Sequence, residues 1–211
     1  MRDPIRIIYW ITVVLLALLS VYAAIHGMIY VIDAAIFITL ATVLFAFRKK
    51  LVFSTSGFLL SCAGMLMNTS GALGAYNLSV HGVGWDKLLH VVTSVGIGLL
   101  VYAYLKRASD IAQRASKLTF GPLALALLVF FIVVGIGAFN EISEFIGTRY
   151  FGFSEGILGM SNGSIISSND LNRFDTHWDM IANAMGALFV VAYTTIRSSF
   201  AKPVKRKPAA R

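Results

Sequence analysis

The sequence predicts an all-α polytopic membrane protein, a bundle of six transmembrane helices with both termini cytoplasmic. Three observations carry that reading. Of 211 residues, 57% are hydrophobic and 13% charged, a balance far from that of a soluble domain. Six stretches approach the roughly 20 apolar residues that a membrane-crossing helix needs. If those stretches alternate in direction, nearly all Lys and Arg fall on one side. A cytosolic enzyme fold is thereby excluded. The single cysteine, Cys62, excludes an internal disulfide and a cysteine-rich metal site.

Taken in order, span one covers about 7–25 and is uncharged. Arg2 and Arg6 precede it and Val21-Tyr22-Ala23 resembles a cleavage site, but the uncharged run exceeds the usual signal-peptide core, so it reads as a retained helix. Span two, about 28–47, holds only Asp33. Span three, about 53–76, holds no charge. Span four, about 87–105, follows the Asp86-Lys87 pair. Span five, about 119–145, opens near Pro122, where the first turn has no partner for the missing N–H, and runs into Glu141 and Glu144. Span six, about 176–196, follows Asp175 and holds Asp179. The connection 148–174, rich in Gly, Ser and Asn, reads as a lid or re-entrant element on the outer surface.

Fifteen of the 18 Lys and Arg residues lie at the termini and in the loops after spans two and four, while Lys87, Arg149 and Arg173 lie on the other side. The positive-inside rule then places both termini in the cytoplasm of a multi-pass plasma or inner membrane protein. Topology therefore accounts for the net charge of +8, and no nucleic acid is expected as a partner. The basic tail 197–211 reads as an anchor that also favours anionic headgroups.

The remaining charges are distributed differently. Apart from Asp3 and Asp110, every acid lies at or beyond the outer end of a span, as do His26, His81, His90 and His177. The positive-inside rule places little constraint on Asp and Glu, so a second cause is required. Helical spacing supplies it. Asp86 and His90 share a face with Thr93 and Ser94. Gly137, Glu141 and Glu144 share another, with Asn140 beside it, and Asp175, Asp179, Asn183 and Gly186 form a third. Ionisable groups in a span face the bundle interior or a wet cavity, so the three stripes converge on one outward-facing site, with Gly137 and Gly186 allowing close helix approach beneath it.

Five carboxylates against Lys87 and Arg149 cannot all stay ionised in a poorly hydrated place unless a cation joins them. A divalent metal held by Asp86, His90, Asp175 and Asp179 answers this, zinc, manganese, magnesium or calcium being suited to carboxylates with one imidazole. A proton or sodium site and a salt-bridge network with Lys87 and Arg149 answer it as well. Asp33 reads either as a site member or as a boundary charge. Trp10, Trp85 and Trp178 read as interfacial belt residues.

Asp86-Lys87-Leu88-Leu89-His90, Glu141-Ile142-Ser143-Glu144-Phe145 and Asp175-Thr176-His177-Trp178-Asp179-Met180, with Asn183 and Gly186, resemble the YjdF family of bacterial inner-membrane proteins and, more distantly, the VanZ-like proteins. The resemblance covers spans four to six; the first three match only in being hydrophobic. It implies that Asp86, Lys87, His90, Glu141, Arg149, Asp179, Asn183 and Gly186 occupy motif positions. Glu144 stands where VanZ-like proteins tend to have Gln, and His177 where the YjdF group commonly has Gln. The resemblance implies a polytopic helical bundle and hints at a lipid-linked or envelope substrate.

Three functions follow as expectations. In the first, a metal-assisted hydrolase or transferase acts on an amphiphile at the outer leaflet, with Glu141, Glu144, Arg149 and Lys87 in catalytic or substrate-holding roles. The second is a proton- or ion-coupled transporter, although the inner halves of the spans are nearly uncharged and no inverted repeat is evident. The third is a non-catalytic scaffold or sensor. Substrate and oligomeric state are not legible in the sequence.

Overall fold

Helix α1 (Pro4–Ile25) enters from an Asp3 that caps its first turn, the carboxylate accepting from the Ile5 N–H at 3.1 Å. It turns into α2 (Val31–Leu51), which ends in Arg48, Lys49 and Lys50. α3 (Thr55–Ala72) starts on Ser54, whose hydroxyl accepts from the Gly57 N–H. Then come a 3-10 turn (Ala75–Asn77), a two-residue hairpin of β1 (Ser79–Val80) and β2 (Val83–Gly84), and three longer helices: α4 (Trp85–Arg114), α5 (Pro122–Phe151) and α6 (Leu171–Phe200). This computed structural model describes residues 3–25, 31–51, 54–80, 83–115, 120–151 and 171–200.

Five of the six α-helices are long and apolar enough to cross a membrane. α3, at 18 residues, falls short in apolar content, which Ser56, Ser61, Asn68, Thr69 and Ser70 dilute. The helices that carry the expected spans four to six run past them. At 30 residues each, α4, α5 and α6 reach about 45 Å against a hydrocarbon core of about 30 Å. α5 continues to Phe151 and α6 begins at Leu171, so both ends of the expected loop 148–174 are helical. Its centre, 152–170, lies outside the described residues, as do His26, His81 and the tail from 201.

α4 is the hub. α3, α5 and α6 all pack on it, while α1 and α2 pack mainly on each other and on α3. Small residues set how closely the helices meet. A Cβ on Gly96 would lie 2.5 Å from the Ser61 backbone nitrogen, and one on Gly186 would lie 2.7 Å from Ser94 Cβ and 2.9 Å from the Val91 carbonyl. The α4–α5–α6 seam is filled by Val95, Val129, Val133, Ala187 and Val190. On the other side Tyr9 stacks on Phe45 with centroids 4.2 Å apart. Thr12, Thr69 and Thr194 return their hydroxyls to carbonyls four residues back, so no hydroxyl donor is left unmade at these buried positions.

Arg48, Lys49 and Lys50 at the end of α2, Lys106, Arg107 and Arg114 late in α4, and Arg197 in α6 gather at one end of the bundle. The first turns of α4, the late turns of α5 and the early turns of α6 gather at the other. Asp33 is 1% exposed in the first turn of α2.

Candidate functional site

The start of α4 is fixed by the segment before it. Gly74 takes φ +117°, the left-handed region that favours glycine, and turns the chain so that Tyr76 lies across Gly71. Tyr76 donates its hydroxyl to Asn68 Oδ1 at 2.7 Å. After the hairpin, the Trp85 N–H donates to the Leu78 carbonyl and its indole N–H to the Met67 carbonyl, each at 3.0 Å. Trp85 therefore ties α4 to the end of α3.

From that start, Asp86, Lys87 and His90 project toward α5 and α6. His90 is buried, and its Nε2 faces three carboxylates: Asp86 Oδ1 at 3.4 Å, Asp179 Oδ1 at 3.6 Å and Glu141 Oε1 at 3.8 Å. Its Nδ1 stands 3.3 Å from Asn183 Oδ1, which also accepts from the Ser94 hydroxyl at 2.7 Å. Glu144 accepts from Asn140 Nδ2 at 2.6 Å. Among the described residues, two groups have ligand atoms close enough to share a cation, Asp86–His90–Asp179 and His90–Glu141–Glu144, with His90 in both. Helical spacing puts each stripe on one face of its helix, and the packing of α5 and α6 on α4 brings the three faces together.

Lys87 belongs to the cluster. Its ammonium lies 2.5 Å from Asp179 and 2.8 Å from Asp86, so it holds the acidic pair together. The salt-bridge network anticipated from the charges thus exists in part, and four carboxylates face one ammonium and one imidazole. Taking such groups out of water is costly unless they are paired or coordinate a cation. The side chains of Arg149 and Asp175 lie outside the described residues. His177 and Trp178 are exposed.

The cluster closes one end of a cavity of about 600 Å³ that runs down the face of α4 between α2 and α3 on one side and α5 on the other. Asp86, His90, Asn140 and Glu144 line its charged end; Leu44, Leu51 and Leu105 line the opposite end. Gly137 keeps the wall open at the junction, where a Cβ would lie 2.5 Å from Asn183 Nδ2. Asn68, Tyr76 and Ser61 also line it. Sequence reasoning missed these three, although Asn68 and Ser61 lie seven residues apart in an otherwise apolar α3, a spacing that marks one face.

A family model described as "Predicted membrane protein (DUF2238)" matches residues 5–199. The match includes α1 to α3 as well as the helices that carry the cluster, and its description bears neither the YjdF nor the VanZ name. The comparisons with curated proteins and with solved structures find no match.

Proposed function

We propose, for a chain that belongs to the DUF2238 family of predicted membrane proteins, a membrane-embedded hydrolase or transferase acting on an amphiphile, with the charged cluster facing the exterior or periplasm. One observation carries this reading. A His–carboxylate cluster contributed by three helices stands at one end of a cavity whose remaining walls are mostly apolar. A lipid-linked substrate needs both features, a polar end where chemistry occurs and a greasy slot that holds the tail.

His90, Asp86 and Asp179 suit a divalent cation by donor type, since one imidazole with carboxylates accepts zinc or manganese. A hydrogen on His90 Nδ1 is donated to Asn183 Oδ1, which leaves Nε2 turned to the carboxylates, the usual arrangement of a ligating histidine held from behind. A bound divalent ion supplies Lewis-acid polarisation of a phosphoryl or carbonyl oxygen. Glu144 lines the cavity and is the general base of this reading. It takes the proton of the attacking water as oxygen joins the phosphorus or carbonyl carbon and the bond to the leaving oxygen breaks. Lys87 balances Asp86 and Asp179.

The transporter reading has less support. A proton or ion relay needs polar groups through the full depth, and the far end of the cavity is lined by Leu44, Leu51 and Leu105. The enzyme reading is tested by incubating purified protein with total envelope lipid and following release of phosphate and fatty acid, beside Glu144→Gln and Asp179→Asn. Turnover lost in both variants, with helix content and melting preserved, supports it. No turnover in the parent protein, or turnover unchanged in both variants, contradicts it.

A further inference from the structure

We infer that the amphiphile is an acyl lipid, whose chain joins its head through a carbonyl, and that the Thr93 hydroxyl donates to that carbonyl. The inference rests on the amphiphile reading above and adds the substrate class. Hydroxyls inside apolar helices commonly return to the carbonyl four residues back, and Thr12, Thr39, Thr42, Thr69 and Thr194 all do so. Thr93 does not return its hydroxyl to Leu89. It stands half-buried on the cavity wall with its Oγ1 over Gly64 of α3, where any Cβ would collide with it. Glycine at 64 therefore leaves room for a hydroxyl turned away from its own helix.

A second hydroxyl marks the same stretch. One turn further along α4, a Cβ on Gly96 would lie 2.9 Å from Ser61 Oγ. Ser61 is buried and lines the cavity, and its hydroxyl has no hydrogen-bond partner among the described residues. An unmade hydroxyl bond in apolar surroundings is costly, so an occupant that brings an acceptor to this depth is favoured over one that brings only carbon. Thr93 follows His90 by one helical turn, and the wall beyond it is Ile97, Leu100, Val101 and Leu105. With the head at the His90 cluster and the chain along those residues, the part that passes Thr93 is the junction of head and chain. A prenyl or alkyl chain offers carbon from that junction onward, whereas an acyl chain begins with a carbonyl oxygen carrying two lone pairs.

The test uses the full chain in amphipol, free of single-chain detergent, with native mass spectrometry counting bound lipid. The probes are monomyristoylglycerol and its ether twin, tetradecylglycerol, which differ only in the carbonyl. The parent should retain the ester about fivefold over the ether, the effect of one neutral hydrogen bond. Thr93→Val keeps the shape and removes the donor, so it should bring that ratio to about one by weakening the ester alone. Thr93→Ser keeps the donor and should hold the ratio near that of the parent. Misfolding does not imitate this pattern, because it weakens both probes together. Equal retention of the two probes by the parent, or a Thr93→Val variant that keeps the ratio or loses both probes alike, overturns the acyl inference and leaves the amphiphile reading standing. Retention of neither probe by the parent overturns both.

Discussion

His90 Nδ1 and Asn183 Oδ1 meet at 3.3 Å across the α4–α6 interface, and the contact aims the other imidazole nitrogen at Asp86, Glu141 and Asp179. Asn183 is held in turn by Ser94 at 2.7 Å. A buried asparagine thus orients the histidine on which both carboxylate groups depend. Replacing Asn183 with Ala removes that support and should weaken divalent-ion binding about 10- to 100-fold, the usual cost of losing an outer partner of a ligating histidine. Asn183→Asp keeps an acceptor for Ser94 and His90 and should stay closer to the parent. Calorimetric titration with zinc and manganese measures both.

Lys87 sits where a cation would balance Asp86 and Asp179, so the two compete. Lys87→Gln should bind divalent ions more tightly than the parent. Without metal it should lose roughly 2 kcal/mol of stability, less than for a fully buried pair because Lys87 is partly exposed. Melting with and without chelator reads both effects. A variant that melts like the parent and binds no more tightly would show that the ammonium and the cation do not share the pair.

Helix packing positions the cluster, and Gly186 is one of the places where that packing has little room. Gly186→Ala puts a Cβ 2.7 Å from Ser94 Cβ and 2.9 Å from the Val91 carbonyl, which should cost about 1–3 kcal/mol and push Asp179 and Asn183 away from His90. Gly135 on α5 has nothing within 4 Å of its would-be Cβ, so Gly135→Ala should melt within about 0.5 kcal/mol of the parent. Thermal unfolding in one detergent compares them.

The basic end of the bundle should face the cytoplasm. Cys62 is buried, which keeps background labelling low. Ser79→Cys, in the hairpin before α4, should react with a membrane-impermeant maleimide in intact cells, and Ser198→Cys, late in α6, only after lysis. The reverse pattern would invert the site.

Much of this arrangement was legible because a helix repeats every 3.6 residues. Asp86 with His90, and Asp179 with Asn183 and Gly186, are neighbours at i and i+4 or close to it, so the stripes could be read without knowing how the helices pack. What lies between helices was not legible. The rotation of α4 against α6 decides that Lys87 bridges Asp86 and Asp179, and no spacing within one helix reports that. The cavity depends on α3 and α5 both docking on α4. The helical extensions of α4, α5 and α6 beyond the expected spans were not legible, because hydropathy stops at the polar cluster and at the basic end while backbone hydrogen bonding continues through both.

The most direct test of the central claim is elemental analysis of protein purified in mild detergent without added metal, beside His90→Ala and Asp179→Asn. The account predicts near-stoichiometric divalent metal in the parent and its loss in both variants while they remain folded. Well-folded parent protein without metal, neither carrying it when purified nor taking it up when zinc or manganese is offered, would contradict the metal-assisted reading and leave the cluster as an ion-pair network.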